Sequence, residues 1–158
     1  MLSIAAQTRM LTEQATAVRR AVLAPEQLAG WVPVACAEVA AFLYHRGITP
    51  TGYPFARSHP LLDGLVGVEA GFPVAHPISP HDLIEASVLP GGPAVVVMHT
   101  GPEEKIELAY QEVDDWLQSE KASASDDGWQ IYHDLPTCDH VHRRIEVVQP
   151  ISLAGATV

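Results

Sequence analysis

Leu89-Pro-Gly-Gly-Pro-Ala-Val-Val-Val-Met-His-Thr-Gly-Pro-Glu-Glu104 is the stretch whose reading decides the fold. The apolar run from Ala94 to Met98 is rich in β-branched residues and is bounded by Gly-Gly-Pro and Thr-Gly-Pro, so it reads as a buried strand closed by turns. A helix is expected to begin at once, over residues 102–120. Pro102 suits a first turn, where an N–H would be orphaned anyway, and Glu103 and Glu104 put negative charge at the positive end of the helix dipole. Ile106, Tyr110, Val113 and Leu117 recur at helical spacing and should face a core.

The same pattern occurs earlier in the chain. Ala17-Val18 followed by Pro25-Glu26 matches Ala94-Val95 followed by Pro102-Glu103 at an offset of 77 (94 − 17). Gly52-Tyr53-Pro54-Phe55 answers Gly128-Trp129-Gln130-Ile131 at 76 (128 − 52), and Val68-Glu69 to Val74 answers Ile145-Glu146 to Ile151 at 77 again (145 − 68). The chain is therefore expected to be one α+β domain over residues 1–158, with an internal repeat of about 11–75 and 84–151. Each half reads strand, helix, strand, strand.

In the first half, Pro25, Gly30 and Pro33 argue for a short turn and then a main helix over 33–46, with Gly47 as its C′ cap. The stretch around Leu2 to Leu11 reads as an extended lead-in, and residues 76–82 as an irregular link between the halves. Residues 84–89 then open the strand material of the second half. Residues 121–128 read as a loop and 152–158 as a frayed tail.

Nine Lys and Arg against nineteen Asp and Glu give a net charge of −10, and the basic residues form no dense run. That argues against a nucleic-acid partner and fits a cationic one. Cys36 in a helical stretch and Cys138 in a polar loop have no framework spacing, which points to a reducing, cytoplasmic setting. The N-terminus lacks a long apolar core after a basic start, and no stretch has ~18 uninterrupted apolar residues, so no membrane association is expected.

With the repeat in hand, the chain resembles the GyrI-like small-molecule-binding domains, also found as effector domains of AraC-type and multidrug-sensing MerR-type regulators. The likeness runs over residues 11–151. It rests on Pro50-Thr-Gly-Tyr-Pro-Phe-Ala-Arg57, Val68-Glu-Ala-Gly-Phe-Pro-Val74, Leu89-Pro-Gly-Gly, His99-Thr-Gly-Pro-Glu-Glu104 with Trp116, and Trp129-Gln-Ile-Tyr132. The resemblance implies two strand-helix-strand-strand units about a pseudo-twofold axis, with antiparallel sheets and a ligand cleft between the halves. Because the matching region begins almost at Met1, a stand-alone effector-type domain without a helix-turn-helix module is expected.

Candidate ligand-binding residues are Tyr53, Phe55, Glu69, Phe72, Met98, Tyr110, Trp116, Trp129, Gln130 and Tyr132. Aromatic faces attract flat delocalised cations through stacking and cation–π contact. The competing reading of each aromatic is ordinary core. Glu69 and its repeat mate Glu146 lie in apolar strand segments, where an inward carboxylate would have a raised pKa and could bind a cation or donate a proton. Alternation along the strand sets Glu69 opposite Val66, Val68, Ala70 and Phe72, which favours an outward position. At Gln130 the family pattern most often has a glutamate, the residue it associates with cationic drugs and, in some stand-alone members, with hydrolysis of cyclopropane-bearing alkylators. Glutamine keeps the shape but carries no charge and cannot act as an acid.

His133, Cys138, His140 and His142 have no strong metal-ligand spacing, so no metal is expected. No cofactor is expected either, since Gly91-Gly92 lacks the Lys-Ser/Thr of a nucleotide loop. The leading expectation is a cytosolic binding protein for multidrug-type aromatic or amphipathic molecules, cationic or neutral, acting in sequestration or sensing. One alternative is a hydrolase of cyclopropane-bearing electrophiles with Glu69 as its carboxylate and Tyr110 or Tyr132 as helpers. A second is a protein-interaction role such as gyrase modulation.

Overall fold

The computed structural model describes residues 6–134 and 141–153. Nine strands and two helices follow in the order β1 (Gln7–Leu11), β2 (Gln14–Leu23), α1 (Leu28–His45), β3 (Phe55–Pro60), β4 (Val66–Pro73), β5 (Glu85–Leu89), β6 (Gly92–Thr100), α2 (Glu107–Ser119), β7 (Ala122–Ala124), β8 (Trp129–Tyr132) and β9 (Arg144–Leu153). All pairings within each unit are antiparallel, and the fold is α+β. The chain divides into two compact units, Glu13–Pro90 and the combination of Met1–Thr12 with Gly91–Val158.

In the continuous unit the sheet order is β3-β4-β2-β5. Strand alternation sends Ala15, Ala17, Val68, Ala70 and Phe72 to one face, and α1 covers that face with Ala35, Cys36, Val39 and Leu43. Gly71 is fixed by close approach, because a Cβ there would lie 1.9 Å from the Ala17 carbonyl oxygen. Beyond α1 the turn is a Schellman motif. Gly47 at φ +67° donates to the Tyr44 carbonyl, and Ile48 donates to the Leu43 carbonyl while packing on the same core.

In the discontinuous unit the order is β8-β9-β6-β1, with β7 on the far end of β9. Val95, Val97, Val147 and Ile151 form the face under α2, met by Ala109 and Val113. The expected stripe of Ile106, Tyr110, Val113 and Leu117 lies in this cluster. Pairing accounts for the topological match between the units, since each is a four-strand antiparallel sheet with one helix across one face.

The structure changes five details of the expected layout. The helix α1 starts at Leu28, and Pro33 lies inside it. A 3₁₀ turn over Pro25–Gln27 leads in, and Pro33, which has no N–H, cannot serve the carbonyl of exposed Ala29 one turn before it. Residues 7–11 form a strand of their own, and they pair with β6 instead of extending β2. Conversely β5, expected to open the second half, pairs with β2 in the first. Residues 122–124 are a short strand where a loop was expected, and their partners Ile151 to Leu153 keep Ser152 and Leu153 in β9.

The fifth is a register difference. Phe55 pairs with Gly71 and Trp129 with Val148, so Phe55 and Trp129 occupy equivalent places at an offset of 74 (129 − 55), not 76. A slip of two residues keeps every side chain on its expected face, so the hydrophobic pattern alone could not reveal it.

Candidate functional site

The carboxylate of Glu146 is the most enclosed charge on the face of its sheet turned away from α2. At 6 % exposure it sits opposite Met98 on one side and Ile131 on the other. Arg9 Nη1 donates to Oε2 at 2.6 Å, and His133 Nε2 lies 2.8 Å from Oε1. A carboxylate this buried needs partners, and β1 and β8 supply one each. Trp129, itself buried, shares this sheet face through its pairing with Val148.

The residue after Trp129 points the other way. Gln130 Nε2 donates to the Tyr110 hydroxyl at 2.7 Å, and the Tyr132 hydroxyl donates to Gln130 Oε1 at 3.1 Å. All three are half-buried at the edge of the cluster that α2 covers. Burial raises the Tyr110 phenol above its ordinary value, opposed by its bond to Gln130 and aided by the nearby Glu107 charge. The group is therefore a neutral chain of two phenols bridged by an amide. It offers hydroxyl and amide dipoles beside aromatic surface.

In the continuous unit Glu69 is a different kind of carboxylate. Its Cα partners are Arg20 on β2 and Arg57 on β3. Arg20 Nε donates to Oε2 at 3.1 Å, and the Ser87 hydroxyl lies 3.2 and 3.1 Å from its two oxygens. Arg20 also holds Glu85 at 3.0 Å, so Glu69 is one member of an ion-pair network.

The candidate residues thus divide among several environments. Tyr110, Gln130 and Tyr132 come together, and Trp116 packs against the same core as Tyr110. Trp129 and Met98 lie on the opposite face of that sheet, near Glu146. Phe55 is fully buried and its carbonyl faces the Cys36 sulfur at 3.9 Å, which makes it core. Phe72 packs under α1. Tyr53, expected to match Trp129, lies before β3 and is 52 % exposed.

His133 and Arg9 are the residues that sequence reasoning did not assign. The available signal was Glu146 itself, because a charge in an apolar strand implies a basic neighbour on the adjoining strands. His99 is also accounted for, with Nε2 2.8 Å from the Pro102 carbonyl at the turn into α2. There Gly101 at φ +131° donates to the Arg143 carbonyl, and Arg143 pairs with Glu103 at 3.0 Å. Among the described residues no three His, Cys, Asp or Glu side chains converge on a point. Cys138 and His140 lie outside the described residues.

Strand order, helix placement and residue pattern define an effector-type ligand-binding domain. Residues 10–143 match the GyrI-like small molecule binding domain, and the chain belongs to that family. In fold it is similar to the EcmrR C-terminal domain, with a TM-score of 0.81 at 18% identity over 98% of this chain and 100% of that one. It spans 57% of the EcmrR chain seen in a DNA complex, at a TM-score of 0.78, 18% identity and 94% of this chain. A similar fold occurs in SAV2435 bound to tetraphenylphosphonium, with a TM-score of 0.69 at 14% identity over 94% of each chain. A hydrolase from Listeria innocua is another, with a TM-score of 0.65 at 12% identity over 94% of this chain and 92% of that one. The chain has no significant sequence match among curated proteins.

Proposed function

We propose that this domain binds an amphipathic aromatic small molecule at Tyr110, Gln130 and Tyr132, and that it serves to sense or sequester that molecule in the cytosol. The observation that carries the reading is the hydrogen-bonded chain of the two phenols through Gln130, half-buried on the edge of an apolar core. Membership of a small-molecule-binding family supports the activity class. The fold shared with a protein bound to tetraphenylphosphonium makes that cation a suitable probe.

Gln130 tilts the preference toward neutral or weakly basic ligands. Its amide supplies a donor and an acceptor but no charge to offset the desolvation of a cation. The acidic net charge still favours the approach of cations, so the site combines attraction at a distance with neutrality at contact.

The hydrolase alternative is weaker at Glu69. A general acid has to present its proton to the substrate, whereas both oxygens of Glu69 are engaged by Arg20 and Ser87.

Calorimetric titration with tetraphenylphosphonium and with neutral planar aromatics tests the reading. Gln130→Glu is expected to strengthen the cation by about tenfold, the effect of ~1.4 kcal/mol of added attraction, and to weaken neutral ligands. Tyr110→Phe should weaken both. Silence across a broad panel, or indifference to both substitutions, would sink it.

A further inference from the structure

The outer face of α1 carries one acidic side chain, few charges for a solvated helix. Its exposed residues are Ala29, Gly30, Pro33, Val34, Ala37, Glu38, Ala41, Tyr44 and His45, and Glu38 is taken up by Arg19 at 2.6 Å. Gly30, Val34, Ala37, Ala41 and Tyr44 follow a spacing of four, three, four and three, which at 100° per residue keeps them within about 80° of arc. Val34 is 58 % exposed and Tyr44 74 %. The stripe runs most of the length of α1.

The repeat supplies an internal control. Buried Ala35 and Val39 of α1 correspond to buried Ala109 and Val113 of α2, an offset of 74 (109 − 35). At that offset Gly30, Ala37, Ala41 and Tyr44 correspond to Glu104, Gln111, Asp115 and Gln118, and Val34 to Leu108, all exposed. Four of the five matching positions are thus polar on α2 and none is on the α1 stripe apart from the Tyr44 hydroxyl, although both helices cover equivalent sheets. The apolar stripe is a property of α1 and is not required by the fold.

We infer that α1 is a self-association surface, packing antiparallel against α1 of a second copy about a twofold axis at Ala37. The stripe is complementary to its own reverse. With Ala37 on the axis, Tyr44 of one copy meets Gly30 of the other and Val34 meets Ala41, so each large side chain faces a small one. Alanine against alanine at the centre allows the helices to approach closely.

The ends bear on the orientation as well. Exposed Glu26 lies just before the helix and exposed His45 in its last turn, about 80° round the helix from Ala37, while Arg46 turns the other way onto the Phe42 ring. Antiparallel packing brings Glu26 of each copy within about three residues, or ~4.5 Å along the axis, of the level of His45 in the other. A parallel arrangement would set like charges together and Tyr44 against Tyr44. By length and composition residues 25–45 could also enter a bilayer, but Ala35, Cys36, Val39 and Leu43 already pack on the sheet, and the stripe's large-to-small order has no meaning to lipid.

Sedimentation velocity of the full chain across a hundredfold dilution tests the inference. The expected species has twice the chain mass. Ala37→Arg, which sets two guanidinium groups on the axis, should raise the dissociation constant at least tenfold while the circular-dichroism melt persists. Gln111→Arg at the matching outer position of α2 should leave the dimer intact. Oxidised Ala37→Cys should form a disulfide between chains, since its two thiols meet on the axis. A monomer at every concentration, or a dimer indifferent to Ala37→Arg, overturns the proposal. So does a monomer that floats with phosphatidylcholine vesicles and loses that attachment in Ala37→Arg.

Discussion

Burial pushes the Cys36 thiol from its ordinary 9.0 up to about 12, which ties the stability of the α1 core to alkaline pH. The folded state holds the proton to higher pH than the unfolded chain does. The resulting stability is complete below pH 9.0 and is lost progressively as pH rises toward about 12, on the order of a few kcal/mol by the end. Tyr110, also raised by burial, adds to the same limb from about pH 10 upward. Urea melts of the wild type and Cys36→Ala across this range are expected to converge as pH climbs, with the wild type losing the more. Parallel curves would mean that the thiol does not titrate with unfolding. Legibility at this scale was uneven. Gln130 could be singled out from its neighbours in sequence, but its bonds to Tyr110 and Tyr132 depend on how α2 meets β8. Glu146 was visible as a charge among valines, whereas its partners Arg9 and His133 come from β1 and the end of β8. Tyr53 and Phe55 are two residues apart and look alike as candidates, yet one is exposed and the other core, because β3 begins between them.

Elements were the most legible scale, and the misses share a cause. The strand β6, the helix α2 and the cap at Gly47 follow from local chemistry, through β-branched runs, helical spacing and a residue that tolerates positive φ. Pro33 inside α1, β7 in a Ser-rich segment and the pairing of β5 with β2 are decided by tertiary contacts that outweigh local preference. Gly71 lies between these cases. It sits in an apolar strand that the sequence pattern marks, but the reason for a glycine there is tertiary, the approach of the β2 backbone to where a Cβ would stand. Its counterpart in the other unit is Val148, which tolerates a side chain, so the constraint belongs to one copy of the repeat only. Gly71→Ala must push β2 and β4 apart across the strand pair under α1, and a loss of ~3 kcal/mol or failure to accumulate folded protein is expected. Val148→Ala only removes two methyl groups and should cost ~1 to 2 kcal/mol. Thermal melts of the two variants in parallel check the asymmetry, and equal losses would refute it.

At the scale of the whole chain, each unit takes its edge strand from the far side of a crossing. The strand β1 runs on into β2 through Thr12 and Glu13 but pairs with β6, and β5 runs on into β6 through Pro90 and Gly91 but pairs with β2. Two copies of a repeat have thus exchanged their leading strands, and each edge is completed by a segment that the duplicated pattern assigns to the other half. The registers show how to undo the exchange. Leu11 stands opposite Gly92 at one end of the β1–β6 pair, so a two-residue type I′ turn such as Asn-Gly can join them as a hairpin. A chain reading residues 1–11, Asn-Gly, then 92–158 is a continuous version of the discontinuous unit. Residues 91–158 alone leave the edge of β6 bare, with Glu146 deprived of Arg9 while still largely enclosed. The rewired fragment is therefore expected to melt cooperatively and at a temperature several degrees above the unwired one. Arg9→Ala in the rewired fragment should remove part of that gain, since it takes one of the two partners of the Glu146 carboxylate, leaving His133, but keeps the strand. Equal melting of the two fragments would mean that β1 contributes nothing beyond its covalent tie. A gain untouched by Arg9→Ala would place the whole contribution in the backbone ladder between β1 and β6.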